Sequence, residues 1–172
     1  MRGIVRADPE RARAFIDHLS RFLRDSTTAQ SRETIPLLDE WQLCEDFLAL
    51  QAMRFERELP RLVEIEGAAY HARVPPMILL NFVENAAKHG QVDQLHPLNV
   101  SARLNGKYLD IAVRNRGSLG PEPASRLGGL GVSRARLQAV YGSTALIDIS
   151  GTDGEVIASL HLPAEPPPGT TA

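Results

Sequence analysis

The sequence has 172 residues, 43% of them hydrophobic, with 19 Lys and Arg against 21 Asp and Glu and a single cysteine. That is room for one large domain, or one domain with an appendage, and it is too apolar for a disordered chain. A net charge of −2 lacks the basic field of a nucleic-acid binder, and lone Cys44 excludes an internal disulfide or a cysteine-built metal site.

Asp8-Pro9-Glu10 reads as a helix start: a capping carboxylate, a proline suited to the first turn, then an acid near the positive end of the dipole. Phe15, Ile16, Leu19, Phe22 and Leu23 recur at helical spacing to about Ser26, and 27–32 reads as a polar break. A second helix is expected over 37–56. Leu37, Trp41, Cys44, Leu48 and Phe55 mark one apolar face, and Leu43, Phe47, Leu50 and Met53 another, so it should contact two partners. Cys44 among these apolar residues reads as a buried, inert thiol.

The composition changes after Pro60. Residues 62–66 alternate like a strand, and Pro75-Pro76 precedes a third helix. That helix carries Asn81, Glu84, Asn85 and Lys88 at i, i+3, i+4 and i+7, on one face, with Ile78, Phe82 and Ala86 on another. Asn is a poor helix-interior residue because its short amide competes for the backbone, so two of them suggest a site. Glu84 can accept a proton or orient a nucleophile, Asn85 offers a neutral oxygen to a hard cation, and Lys88 offers charge to a phosphate. A merely wetted polar face is the alternative reading.

Strands are expected at 98–104 and 108–113, joined by the hairpin signal Asn105-Gly106. Residues 114–129 read as loop, 132–141 as a short helix ended by Gly142, and 145–149 with 156–162 as a last strand pair. Residues 163–172 are proline-rich and read as a disordered tail. The longest apolar run, 74–83, is broken by Pro75, Pro76 and Asn81 and is too short to cross a bilayer. Asn115-Arg116-Gly117 ends a strand, and Gly128-Gly129-Leu130-Gly131 opens a helix, where backbone N–H groups can approach a phosphate. Taken alone, such glycines more often serve turns, and no Gly-Lys-Ser/Thr follows them.

In this fixed order the elements resemble the GHKL ATPase superfamily (gyrase, MutL and histidine kinase type), and within it the sensor histidine kinases of the LytS type. The resemblance runs from about Asp8 to Pro163. Leu19-Ser20-Arg21-Phe22-Leu23-Arg24 and Phe47-Leu48-Ala49-Leu50-Gln51-Ala52-Met53-Arg54-Phe55 are similar to the family's connecting helices. Val74-Pro75-Pro76 leading to Val83-Glu84-Asn85-Ala86-Ala87-Lys88-His89-Gly90 is similar to its asparagine box.

The resemblance implies an α/β (α+β) fold: a two-layer sandwich of a mixed, mainly antiparallel sheet and helices, the Bergerat-type ATP-binding fold, preceded by two N-terminal helices. It divides the chain into a helical dimerisation and connector region (1–58, incomplete), an ATP-binding domain (59–163) and the tail (164–172). It implies ATP and Mg²⁺ as cofactors, with Glu84 catalytic and Asn85 binding the metal. Asn81, Asn85, Lys88, His89, Asn115, Gly117, Gly129, Gly131 and Arg134 would contact the nucleotide. The partners implied are a response regulator and a second copy through the N-terminal helices, with no nucleic acid. The chain itself is expected in the cytoplasm without membrane contact, whether or not the full protein has membrane segments. Where the family has Asp, the first glycine box reads Asn115. Leu119 stands for its second glycine, Arg134 for an Asn, and Glu155 for a Thr. The family's His-Phe-x-Phe-Asn phosphoacceptor motif is absent, and His18 reads as a helix-surface histidine. A degenerate docking module, or a GHKL ATPase or serine kinase, are the competing readings.

Overall fold

The computed structural model describes residues 9–119 and 130–166. Helix α1 (Pro9–Gln30) packs on α2 (Leu37–Phe55), and α2 packs in turn on α3 (Ile78–His89). The two apolar faces of α2 are thus both used. Phe22 of α1 meets Phe47 with ring centroids 6.4 Å apart. Phe55, expected on the buried face, is 62% exposed at the helix end, with the Arg54 guanidinium 5.1 Å from its ring centre.

The polar break expected at 27–32 is helical as far as Gln30. Ser26 and Thr27 hydroxyls donate to Leu23 O, at 3.1 and 2.7 Å, and Thr28 Oγ1 donates to Arg24 O at 2.9 Å. Hydroxyls that bond back to the preceding turn let such residues stay in a helix.

Short strands β1 (Ile35–Pro36) and β3 (Arg73–Val74) pair antiparallel beside α2. The main sheet contains β2 (Arg61–Ile65), β4 (Leu98–Asn105), β5 (Tyr108–Arg116), β6 (Leu146–Thr152) and β7 (Glu155–Pro163), in the order β2-β4-β5-β7-β6. Only the β2–β4 pairing is parallel. Gly106, at φ 64°, supplies the left-handed turn of the β4–β5 hairpin. Asp153 and Gly154 both have positive φ, 54° and 81°, as a two-residue hairpin of the right twist requires.

One face of the sheet receives the helices. Val100 of β4, Ile111 and Val113 of β5 and Leu160 of β7 meet Leu48 of α2 and Ile78, Leu79, Phe82 and Val83 of α3 in one buried core. The opposite face carries Asn99, Ser101, Asp110, Arg114, Ser159 and His161, all exposed or half-buried. Helix α4 (Leu130–Tyr141) returns beside α3.

Residues 114–116, expected in a loop, extend β5 because β7 pairs with them: Arg114 opposite Ile157, Asn115 opposite Val156, Arg116 opposite Glu155. Ala164, expected in the disordered tail, is held on both sides. Its N–H donates to Lys107 O and its carbonyl accepts from Arg73 N, each at 2.8 Å.

Candidate nucleotide site

Helix α3 begins without a local cap. Pro75 and Pro76 offer no N–H, and Met77, at the cap position, is left-handed with φ 68°. The missing acceptor comes from α2. Glu40, fully buried, accepts from Met77 N through Oε2 at 2.9 Å and from Leu80 N through Oε1 at 3.1 Å. Burial raises the Glu40 carboxyl to about 7, against the backbone bonds and the Arg136 charge, which favour the ionised form. Burial, with Glu40 and Glu45 adding negative charge, also pushes the Cys44 thiol well up, so it is the inert thiol expected.

One turn further on, the polar face of α3 is in place. Asn81 Nδ2 donates to the buried Ser133 Oγ of α4 at 2.7 Å, so this side chain ties two helices together. Glu84 and Lys88 form an ion pair along the helix. Both are partly exposed, which makes the pair weak and easily exchanged for another partner. Asn85 is half-buried beside Glu84 and makes no side-chain hydrogen bond to the described residues. Lys88 and His89 are exposed at the helix end, and Gly90 N closes the helix on Ala86 O at 2.9 Å.

The strand side meets this helix end. Gln91 N donates to Arg116 O, and Gly117 N to Gly154 O, each at 2.8 Å. Asn115, 7% exposed, lies against Gly90 and donates through Nδ2 to Arg116 O at 2.9 Å. Its Oδ1 has no hydrogen-bond partner among the described residues. The structure therefore brings together the end of α3, Asn115 and Gly117. Gly131 lies in the first turn of α4 with open space where a side chain would stand, and Arg134 is exposed on the same helix. Gly129 lies outside the described residues. Among the described residues no group of three or more His, Cys, Asp or Glu could hold a metal. A lone carboxamide oxygen next to a carboxylate still suits Mg²⁺, which keeps most of its ligands as water.

A histidine kinase family profile matches residues 1–59. The sensor protein LytS of Staphylococcus haemolyticus is 28% identical over 94% of this chain, and the sensor histidine kinase BtsS of Escherichia coli K12 is 27% identical over 95%. The chain is similar to LytS-type sensor histidine kinases along nearly its whole length. It spans about 30% of the length of those relatives. Among solved structures, the catalytic domain of histidine kinase ThkA aligns with a TM-score of 0.58 at 14% identity, over 77% of this chain and 95% of that one. Histidine kinase AdeS of Acinetobacter baumannii aligns at 0.53 and 13% identity, over 86% and 78%. At such identities these two show a shared fold.

Three residues at which the sequence departs from the family pattern, or that were expected on the surface, have defined places. Leu119 covers the backbone of Gly151, so that a side chain there would stand 3.0 Å from Leu119 Cγ. Glu155 lies on the open face of the sheet with Arg114 and Ser159, opposite the face that receives α3. His18 has its Nδ1 3.5 Å from Asp46 of α2, inside the α1–α2 contact rather than on open surface.

Glu40, Ser133 and Arg136 are the site-supporting groups that sequence reading missed. A helix preceded by Pro-Pro with no Ser, Thr, Asp or Asn to cap it was the available signal that an acceptor must come from elsewhere. Among the described residues no helix is long and apolar enough to cross a membrane.

Proposed function

We propose that this chain is the ATP-binding catalytic part of a two-component sensor kinase. It would transfer the γ-phosphoryl group of ATP to a histidine, from which a response regulator takes it. The observation that carries this reading is the junction of α3 with the end of β5: Glu84, Asn85 and Lys88 on the helix, Asn115 and Gly117 where strand and helix end are stitched together.

Asn115 supports the purine assignment. The family's Asp offers a carboxylate, whereas here the NH₂ end is committed to Arg116 O and the amide oxygen is left to accept from an adenine amino group. Asn85 would give its oxygen to Mg²⁺, which when bound spreads the phosphate charge. Lys88, His89 and Arg134 offer cationic or donor groups to phosphate or ribose. The glycines at 117, 129 and 131 would admit backbone N–H groups, and Asn81 would act as a helix tie with a secondary contact. Glu84, on leaving Lys88, would orient the attacking group. Positioning of this kind is most of what phosphoryl transfer needs.

A second copy would pack on the N-terminal helices, where Ile16 and Leu23 of α1 stand 58% and 54% exposed, seven residues apart on one stripe. Leu119 over Gly151 favours the competing reading, a docking module that no longer binds nucleotide. A calorimetric and thermal-shift titration with Mg·ATP separates them. Binding and a raised midpoint support the kinase reading, and no effect at millimolar nucleotide supports the docking module.

A further inference from the structure

The first turn of α3 is held by other elements rather than by its own sequence. Glu40 of α2 takes the N–H groups of Met77 and Leu80, and Arg136 of α4 donates to Pro76 O at 3.2 Å. Asn81, in the next turn, is tied to Ser133 of the same α4. The connector helix, the start of α3 and the helix after the glycine-rich segment therefore meet at one buried carboxylate. Asn85 lies on the same rigid helix as the capped turn, five residues beyond Leu80. A rigid helix cannot move at its first turn without moving there too.

We propose that Glu40 is a positioning residue for the nucleotide site: its carboxylate locks the register of α3 to α2, so that the state of the connector helix sets how well α3 presents Asn85 and Lys88. This rests on the reading of α3 as the nucleotide helix. Two oxygens each accepting a backbone N–H is an arrangement that the ionised carboxylate satisfies best. The protonated acid, or a glutamine, turns one donor against one N–H. The ionisable groups facing Glu40 are Arg136 from α4 and Cys44 one turn along α2. Burial brings the carboxyl to about 7, so both forms are populated near neutrality.

The test compares the full chain with Glu40→Gln at matched pH, so that titration of the nucleotide itself cancels. Mg·ATP dissociation constants are measured by calorimetry from about pH 6 to about pH 8. The ratio of variant to native should rise from near unity at the acid end to about tenfold at the alkaline end, as a smaller fraction of the variant is binding-competent. A role in stability alone would leave that ratio flat once both proteins are folded. In parallel, NMR of the native chain without nucleotide follows the Met77 and Leu80 amides and the Asn85 carboxamide. All should move with one midpoint near neutrality, and this arm stands even if Glu40→Gln does not fold.

A flat ratio, or an Asn85 signal indifferent to the titration of the Met77 and Leu80 amides, overturns the proposal alone. Failure of the native chain to bind Mg·ATP at any pH overturns the functional reading, and this inference with it.

Discussion

Gly90→Ala tests the junction between α3 and β5 directly. A Cβ built on Gly90 would stand 2.4 Å from Ala86 O, 2.5 Å from Asn115 Nδ2 and 2.9 Å from Asn115 Cγ. Ordinary carbon contacts begin at about 3.5 Å, so the overlap is about 1 Å. Neither neighbour yields cheaply. Ala86 O is backbone and accepts the bond that closes α3, and Asn115 is buried and anchored to Arg116 O. Overpacking of this kind costs roughly 1–3 kcal/mol. The φ of −78° is open to alanine, so reduced freedom of the unfolded chain returns about 0.4–1 kcal/mol. The net loss should be about 1–2 kcal/mol, which for a chain of this size lowers the unfolding midpoint by about 2–8 °C. Urea unfolding, with an unchanged m-value, measures it. Since Asn115 must shift, Mg·ATP affinity should fall as well. A Gly90→Ala protein as stable as the native chain would refute the close approach of helix and strand on which the site is built.

Gly131→Ala should behave in the opposite way. Nothing stands within 4 Å of the new methyl, and alanine in a helix gains up to about 1 kcal/mol over glycine. A stable variant with weakened Mg·ATP binding would mark Gly131 as a close-approach position for phosphate, and unchanged affinity would remove it from the site. Asn85→Ala should abolish Mg²⁺-dependent nucleotide binding with less than about 0.5 kcal/mol change in stability, since the side chain bonds to no described residue. Isothermal titration with and without Mg²⁺ checks this.

Glu40 makes a pH prediction. Its folded value, about 7, lies above the ordinary 4.5, so between those values the native state holds a proton that the unfolded chain releases. Its contribution therefore falls as pH rises through that window, by about 3 kcal/mol in all. The difference in unfolding free energy between the native chain and Glu40→Gln, followed from about pH 4.5 to about pH 7, should carry this slope. A difference that stays constant would show that Glu40 titrates alike in the folded and unfolded chain.

Much of the fold is legible in the sequence because local chemistry dictates it. Asn105-Gly106 places the β4–β5 turn, and Gly106 adopts the left-handed conformation the turn needs. The spacing of Asn81, Glu84, Asn85 and Lys88 describes a helix face that the structure contains. What was not legible depends on partners distant in the chain. β5 runs to Arg116 because β7 pairs with it, and no property of residues 114–116 alone announces that. The cap on α3 comes from Glu40, 37 residues before Met77. Composition also misled where hydroxyls were read as a break, since Thr27 and Thr28 satisfy themselves within α1.

The sheet's uneven clothing has a consequence for how this chain can drift. In β4 the even-numbered residues Leu98, Val100 and Ala102 are interior, and across the hairpin the duty passes to odd-numbered Leu109, Ile111 and Val113, then back to Ala158, Leu160 and Leu162 in β7. A randomised library of these strands should sort like the teeth of a comb, with every second codon accepting almost any residue. The phase of that comb should invert at Gly106, and Asn115 should be the last intolerant tooth of β5, kept for its amide where its neighbours are kept for their oil.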